Sequence, residues 1–284
     1  MNAIEECLRG LRKKGEGALI AYVCGGDPNP EHTPEIVESL ISGGADIVEL
    51  GIPFSDPIAD GPTIQAASVR ALKAGTTPQM VMEIAGRIKN MHNTIPLTLL
   101  TYFNPIFRMG LETFFNLTRK YGIDGVIVPD LPVEEAEEYK RLAEAHEIST
   151  IFMVTPNTTK GRLEKIIDAS SGFLYMVSIF GVTGARGSVH RLTIDTLHRI
   201  LPQIRGRIPL AVGFGISEPE HVRTIIENGA DGAIVGSSLV KIVEKYDNNI
   251  EHIANALKIK TNELKAGTRK CNTNLKKIIL SGIE

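Results

Sequence analysis

Short runs that are apolar at nearly every position recur along the whole chain: ALIAYV from Ala18, ADIVELG from Ala45, PLTLLTY from Pro96, GVIVPD from Gly125, STIFMVT from Ser149, FLYMVSI from Phe173, PLAVGFG from Pro209 and GAIVGS from Gly232. A half-exposed antiparallel strand alternates apolar with polar positions, whereas a parallel strand covered by helices is apolar throughout, so these runs predict eight parallel strands. The intervening stretches PEIVESLISGG, TFFNLTRKYG, VEEAEEYKRLAEAH and PEHVRTIIENG read as helices, several closing on glycine where a C-cap sits. One joint is written three times, in GGADIVELG, YGIDGVIVPD and NGADGAIVGS: helix end, glycine, acidic turn, strand. Eight βα units without a linker or low-complexity break predict an α/β fold of the (β/α)8 TIM barrel type, one domain over residues 1–284, in preference to an open doubly wound sheet. The amphipathic start MNAIEECLRGLRKKGEG predicts a short N-terminal helix, and the lysine-rich tail from about residue 248 an extra helix outside the barrel.

Composition narrows the function classes. A hydrophobic content of 43%, a charged content of 23% and a net charge of −2 over 284 residues describe an ordinary globular chain with no polyelectrolyte partner. Basic residues gather towards the C-terminus (Lys258, Lys260, Lys265, Arg269, Lys270, Lys276, Lys277), but no aromatic side chain lies among them to stack on bases, so a solvated helix face is expected and nucleic-acid binding is not. Cys7, Cys24 and Cys271 are odd in number and far apart, which speaks against a disulfide framework or a zinc site and for a reducing cytoplasm. No apolar stretch reaches the roughly 20 residues of a membrane helix, and the charged N-terminus is unlike a signal peptide.

Against this background Glu49 stands out. Strand side chains alternate between faces, so in ADIVELG Val48 and Leu50 share one face while Ile47, Glu49 and Gly51 share the other. If Val48 and Leu50 meet the helices, Glu49 points into the barrel near the C-terminal end of its strand, where barrel enzymes hold catalytic groups. A buried carboxylate without a partner is costly, and its pKa rises towards the range useful for acid–base work. The other reading is a structural ion pair with an internal arginine or lysine. The following loop, PFSDPIADGP, adds Asp56 and Asp60 between three prolines that constrain the backbone. Either aspartate could serve chemistry, or could be ordinary turn or cap chemistry.

Glycines mark a second candidate region. The seventh run ends in VGFGIS and the eighth in IVGSSLV, each followed by a helix, and Gly213, Gly215, Gly236 and Ser237 are candidates for holding a phosphate on main-chain N–H groups and a helix dipole. The segment SIFGVTGARGSVH after the sixth run reads as a lid or as a plain flexible connection; as a lid it would bring Gly184 to the phosphate and Thr183 to Asp60. Tyr175 and Tyr102 lie in runs leading to the same rim and could be site residues or core aromatics. The histidines show no HExxH or HxxxH spacing, so no catalytic metal is expected.

Taken in order, ELGIPFSDPIADGPTIQ, GVIVPDLPVEE, GVTGARG, VGFGIS and GSSLV resemble the tryptophan synthase alpha chain family over nearly the whole sequence. The first segment is highly specific, whereas the glycine motifs alone would fit many phosphate-binding barrels. The resemblance implies a lyase that cleaves indole-3-glycerol phosphate to indole and glyceraldehyde 3-phosphate, with Glu49 as acid–base residue and Asp60 stabilising charge at the indole nitrogen. It implies phosphate contacts at Gly184, Gly213, Gly236 and Ser237, and a site role for Tyr175. It implies no cofactor in this chain, pyridoxal phosphate in a beta-chain partner, and an α2β2 heterotetramer through which indole passes. Contact with that partner is then expected at Pro53, Asp56, Asn104, Phe107 and Pro132, although Asn-Pro and Asp-Leu-Pro are also common structural turns. Ile179 and Phe180 stand where many members of the family carry a polar or basic residue, which touches lid closure and coupling rather than cleavage.

Three rivals share parts of this pattern. Indoleglycerol phosphate synthases and sugar-phosphate isomerases are phosphate-binding barrels that usually rely on a catalytic lysine, and none of the eight runs contains one. A free-standing lyase would do the same chemistry without a partner. A non-catalytic alpha-like subunit would bind phosphates and only regulate, which retention of both carboxylates argues against.

Overall fold

The computed structural model describes residues 2–178, 189, 191–204, 206–246 and 248–269. Its strands are β1 (Ala18–Cys24), β2 (Ile47–Gly51), β3 (Leu97–Leu100), β4 (Gly125–Ile127), β5 (Ser149–Ile151), β6 (Met153–Val154), β7 (Leu174–Val177), β8 (Leu210–Gly213) and β9 (Gly232–Val235). All pair in parallel, in the order β5-β4-β3-β2-β1-β9-β8-β7-β6. The two ends of that order, β5 and β6, are separated by Phe152 alone. They are halves of one strand: β5 pairs with β4, β6 pairs with β7, and the Phe152 carbonyl accepts from Tyr175 N at 3.0 Å. The sheet therefore closes into an eight-stranded barrel, and the one departure from the predicted strands is this interruption of the fifth.

The helices are α1 (Ala3–Lys13), α2 (Thr33–Ser42), α3 (Pro62–Lys73), α4 (Pro78–Met91), α5 (Phe103–Met109), α6 (Leu111–Lys120), α7 (Glu137–Ala145), α8 (Lys160–Ala169), α9 (Arg191–Ile204), α10 (Pro219–Glu227), α11 (Ser237–Tyr246) and α12 (Ile250–Ala266). Local chemistry starts several of them: Asn2 accepts from Glu5 N at 2.9 Å, Thr77 accepts from Met80 N at 3.2 Å, and proline occupies the first turn of α2, α3, α4 and α10. The stretch expected to be helical from Val133 begins as a 3-10 turn over Val133–Glu135 and becomes an α-helix at Glu137. The tail helix α12 packs on α2, α10 and α11, outside the barrel. Lys260 on it reaches Glu218 at 2.8 Å, while Lys270, Cys271, Lys276 and Lys277 lie outside the described residues.

The predicted alternation holds on every strand. Leu19, Ala21, Val23, Val48, Leu50, Leu97, Leu99, Val126, Leu174, Met176, Leu210, Val212, Ala233 and Val235 face the helix layer, and Ile20, Tyr22, Ile47, Leu100, Ile127, Ile151, Tyr175, Ala211 and Ile234 fill the lumen. Each fully buried leucine or isoleucine contributes about 1.5–3 kcal/mol of burial, so these two shells supply most of the driving force for closure. Ile4 and Leu8 of α1 join the lumen cluster and close the N-terminal end of the barrel, leaving the C-terminal end as its mouth.

The joint written three times has one physical meaning. Asp46, Asp124 and Asp231 each precede a strand, and each gives one carboxylate oxygen to the first N–H groups of the neighbouring strand: Leu19 N at 2.7 Å, Leu97 N at 2.8 Å and Leu210 N at 2.9 Å. Each aspartate also returns its own N–H to the carbonyl of that same residue, at 2.9, 2.8 and 2.8 Å. A cation closes each clamp: Lys265 on Asp46 at 2.7 Å, Lys89 on Asp124 at 3.1 Å and Arg12 on Asp231 at 3.2 Å. Among the described residues, no helix is long and apolar enough to cross a membrane.

Candidate active site

A cavity of about 290 Å³ opens at the mouth, lined among others by Tyr22, Glu49, Asp60, Leu100, Tyr175, Phe214, Gly215, Ile234, Gly236, Ser237 and Lys241. Five strands, β1, β2, β3, β7 and β9, and the loops after β2, β8 and β9 converge there. Glu49 enters from β2, facing the lumen as its position in the alternation requires, and is only 1% exposed. Its Oε2 has no hydrogen-bond partner and no described cation pairs with it, which removes the structural ion-pair reading. Burial first, and the nearby Asp60 charge second, push its carboxyl up to about 8. The group is therefore protonated at neutral pH and poised to give a proton up.

Asp60 hangs from the loop between β2 and α3, which Gly61 and Pro62 end by starting the helix. Burial raises it to about 6, against a hydrogen bond from Tyr102 that favours its charged form. At pH 7 the pair thus splits into an acid and an anion, the arrangement expected of two carboxyls with distinct proton tasks. Tyr102, just past β3, stands behind the wall: its hydroxyl accepts from Ala59 N at 3.0 Å and so holds the Asp60 loop against the third strand.

Two glycines make room for two phenols. A Cβ on Gly51 would lie 2.2 Å from Tyr22 Oη, and one on Gly213 would lie 2.3 Å from Tyr175 Oη. Tyr175 is 3% exposed, lines the cavity and lies edge-on to Phe214 with ring centroids 6.0 Å apart. Gly213 thus acts by yielding space rather than by lining the cavity itself. Phe214 has φ +70°, a left-handed conformation that costs a non-glycine residue about 1–2 kcal/mol. Ser178 Oγ, donating at 2.7 Å to the Gly213 carbonyl and also bonded to that of Phe214, helps to hold it there. Such a residue at a cavity mouth is a strained element kept by its surroundings.

Gly215, Gly236, Ser237 and Lys241 form the other end of the cavity. Ser237 opens α11, whose first amides are free of intrahelical partners and carry the positive end of the helix dipole. Lys241 lies one turn further on, is the one basic side chain among the lining residues and makes no ion pair among the described residues. Thr183, Gly184, Ile179 and Phe180 lie outside the described residues. Asp56, Asn104 and Phe107 are exposed on the same rim, Pro132 is half-buried and Pro53 is buried. Ile58 and Phe107 present apolar side chains there at 82% and 66% exposure.

Sequence reasoning missed Tyr22, Leu100, Phe214, Ile234 and Lys241. The alternation that placed Glu49 would have placed Tyr22, Leu100 and Ile234 on the lumen face as well, and Lys241 follows from helical spacing after Ser237. No pattern announced the turn at Phe214. Among the described residues, no group of three or more histidine, cysteine, aspartate or glutamate side chains could hold a metal ion.

A closed (β/α)8 barrel whose mouth joins a buried protonated carboxyl, a second acid and a glycine-lined helix N-terminus defines an acid–base enzyme for a phosphorylated substrate. A family model described as tryptophan synthase alpha chain matches residues 8–269. The tryptophan synthase alpha chain of Methanosarcina barkeri is 48% identical over 269 residues, covering 95% of this chain and 98% of the relative. A solved structure from Aquifex aeolicus superimposes with a TM-score of 0.84 at 38% identity, over 95% of this chain and all (100%) of that one. Another, from the tryptophan synthase α2β2 complex of Pyrococcus furiosus, gives 0.82 at 40% identity over 89% and 99%. The chain belongs to the tryptophan synthase alpha chain family. It is a carbon–carbon lyase that cleaves indole-3-glycerol phosphate in tryptophan biosynthesis, and the family's pyridoxal phosphate belongs to the beta chain.

Proposed function

We propose that Glu49 carries both proton transfers of the cleavage and that Asp60 holds the indole nitrogen. Protonated Glu49 gives its proton to ring carbon C3, which leaves a cationic ring nitrogen whose N–H donates to the Asp60 carboxylate. Glu49, now ionised, takes the proton of the hydroxyl on the carbon attached to C3. The bond between that carbon and C3 breaks, its electron pair returns to the ring as neutral indole, and the hydroxyl carbon becomes the aldehyde of glyceraldehyde 3-phosphate. Glu49 ends protonated, ready for the next turn. The observation that carries this reading is the buried Glu49 carboxyl with an unpartnered Oε2 in the same cavity as Asp60.

The phosphate is assigned to the end built by Gly215, Gly236 and Ser237, with Gly213 behind and Lys241 supplying positive charge. In the same reading the residues form one barrel domain and the chain works in the cytoplasm as half of an α2β2 assembly. The beta chain sits on the rim formed by Asp56, Asn104, Phe107 and Pro132, with the buried Pro53 beneath it, and receives the indole. Support for that partner comes from the exposed Ile58 and Phe107 beside the mouth and from the α2β2 complex of the Pyrococcus furiosus relative. Indole release from indole-3-glycerol phosphate, measured with and without an added beta chain, tests the assembly. Slow release alone and strong activation by the partner is the expected result, and equally fast release in both conditions would replace it with a free-standing lyase.

A further inference from the structure

Tyr22 has been left without a task. It is 6% exposed, projects from β1 into the cavity and pairs in register with Glu49, so the two side chains leave neighbouring strands on the same face. Its side chain lies between Gly236 and Gly51. A Cβ on Gly236 would lie 3.1 Å from its Cδ1, and one on Gly51 would lie 2.2 Å from its Oη. The ring edge thus backs the phosphate end, while the hydroxyl reaches over the last residue of the strand that bears Glu49.

The arrangement has a twin across the barrel. Tyr175 on β7 reaches over Gly213 of the next strand, as Tyr22 on β1 reaches over Gly51 of the next strand. In each case the glycine is the register partner of the residue two beyond the tyrosine, Cys24 opposite Gly51 and Val177 opposite Gly213. Each glycine makes room for the whole tip of a phenol: a Cβ on Gly51 would also lie 2.8 Å from Tyr22 Cζ, and one on Gly213 would lie 2.7 Å from Tyr175 Cζ. Tyr22 lines the cavity, so a ligand bound there can meet its hydroxyl, which donates and accepts hydrogen bonds.

We propose that Tyr22 is a substrate-binding residue whose hydroxyl bonds the hydroxyl groups of the three-carbon chain joining the indole ring to the phosphate, selecting a polyol-linked substrate over its deoxy counterpart. The inference rests on the proposed orientation, with the ring at Glu49 and Asp60 and the phosphate at Gly236 and Ser237, because only the hydroxylated chain then lies along Tyr22. Burial and the neighbouring Cys24, Asp60 and Glu49 hold the phenol well above its ordinary range, so it stays protonated and serves as a hydrogen-bond donor and acceptor, not as a base.

Tyr22→Phe removes the hydroxyl and keeps the ring, so the lumen stays filled. Two quantities are compared in the wild type and the variant with the beta chain present: kcat/KM for indole-3-glycerol phosphate, and the Kd of 3-(indol-3-yl)propyl phosphate, which has the same ring, chain length and phosphate but no chain hydroxyls. The expected result is a loss of about tenfold in kcat/KM with the Kd of the propyl phosphate within twofold of wild type, the size of one neutral hydrogen bond. Unchanged values for both ligands, or equal weakening of both, would reduce Tyr22 to packing and overturn the inference. Failure of the wild type itself to bind the propyl phosphate would overturn the reading of the cavity, and the inference with it.

Discussion

Glu49→Gln keeps the volume of the side chain and removes its charge. The wild-type carboxyl is held at about 8 in the folded chain against an ordinary value of 4.5. Between those two values the native state keeps a proton that the unfolded chain has lost, so the group's contribution to stability falls as pH rises. At about 1.36 kcal/mol per pH unit, the loss is slight at pH 5, about 3 kcal/mol at pH 7 and nearly 5 kcal/mol above pH 9. Glutamine carries no such loss, only a cost of roughly 1–2 kcal/mol for an unpaired buried amide that is the same at every pH. The stability of the variant relative to wild type should therefore increase by about 3 kcal/mol between pH 5 and pH 8. Urea unfolding of both proteins at fixed ionic strength and a series of pH values measures this directly. The same substitution should cut indole release by about 10³-fold, since it removes the carboxyl proposed to carry both proton transfers. A variant sturdier at pH 8 and nearly inert is the combination expected of a site that gives up stability for chemistry. A pH-independent difference would refute the reasoning, because it would mean that the carboxyl is not the buried, unpaired acid described.

Three further outcomes follow from the same geometry. The rate kcat/KM for indole-3-glycerol phosphate should be bell-shaped, rising near pH 6 as Asp60 ionises and falling near pH 8 as Glu49 loses its proton, and Asp60→Asn should abolish the acid limb; initial rates from pH 5 to 9.5 read both. Lys241→Met should raise KM by about tenfold and leave kcat within twofold, with a weaker dependence of kcat/KM on salt, since it removes charge at the end proposed to hold the phosphate. Arg70 holds the buried Asp27 with two bonds of 2.7 and 2.9 Å and also reaches Glu244 at 3.2 Å, so Arg70→Met should cost about 3 kcal/mol by leaving a buried carboxylate unpaired, and Asp27→Asn in that background should restore part of it in urea unfolding.

Much of the barrel was legible because its strands are covered on both faces, so the apolar runs mark them without ambiguity. The direction of Glu49 was legible for a related reason: an alternating geometry puts the odd residue of a run on a known side, and one acidic side chain among aliphatic ones cannot be mistaken for packing. Tyr22, Leu100 and Ile234 escaped because an apolar or aromatic residue on a lumen face looks the same whether it fills the core or lines a cavity. The threefold joint was visible as a repeat, but its meaning was not. The cations that close the clamps come from Arg12, Lys89 and Lys265, at no common distance in sequence, and only the folded chain brings them to Asp231, Asp124 and Asp46. The split of the fifth strand at Phe152 had no sequence signal, because the alternation runs through it unbroken.

The aspartate clamps all sit on the face opposite the mouth, where they pin the starts of β1, β3 and β8 to their neighbours. A one-residue slip between adjacent strands would exchange lumen-facing and helix-facing side chains along the whole strand. Because alignment is locked from that far face, nothing at the mouth has to set it. The loops that carry Asp60 and the residues proposed to face the partner can therefore be lengthened, shortened or exchanged between relatives without shifting the strand on which Glu49 stands. For anyone redesigning substrate preference, the fold offers a fixed base plate and a replaceable rim, and loop grafts should be cut after the last paired residue of each strand.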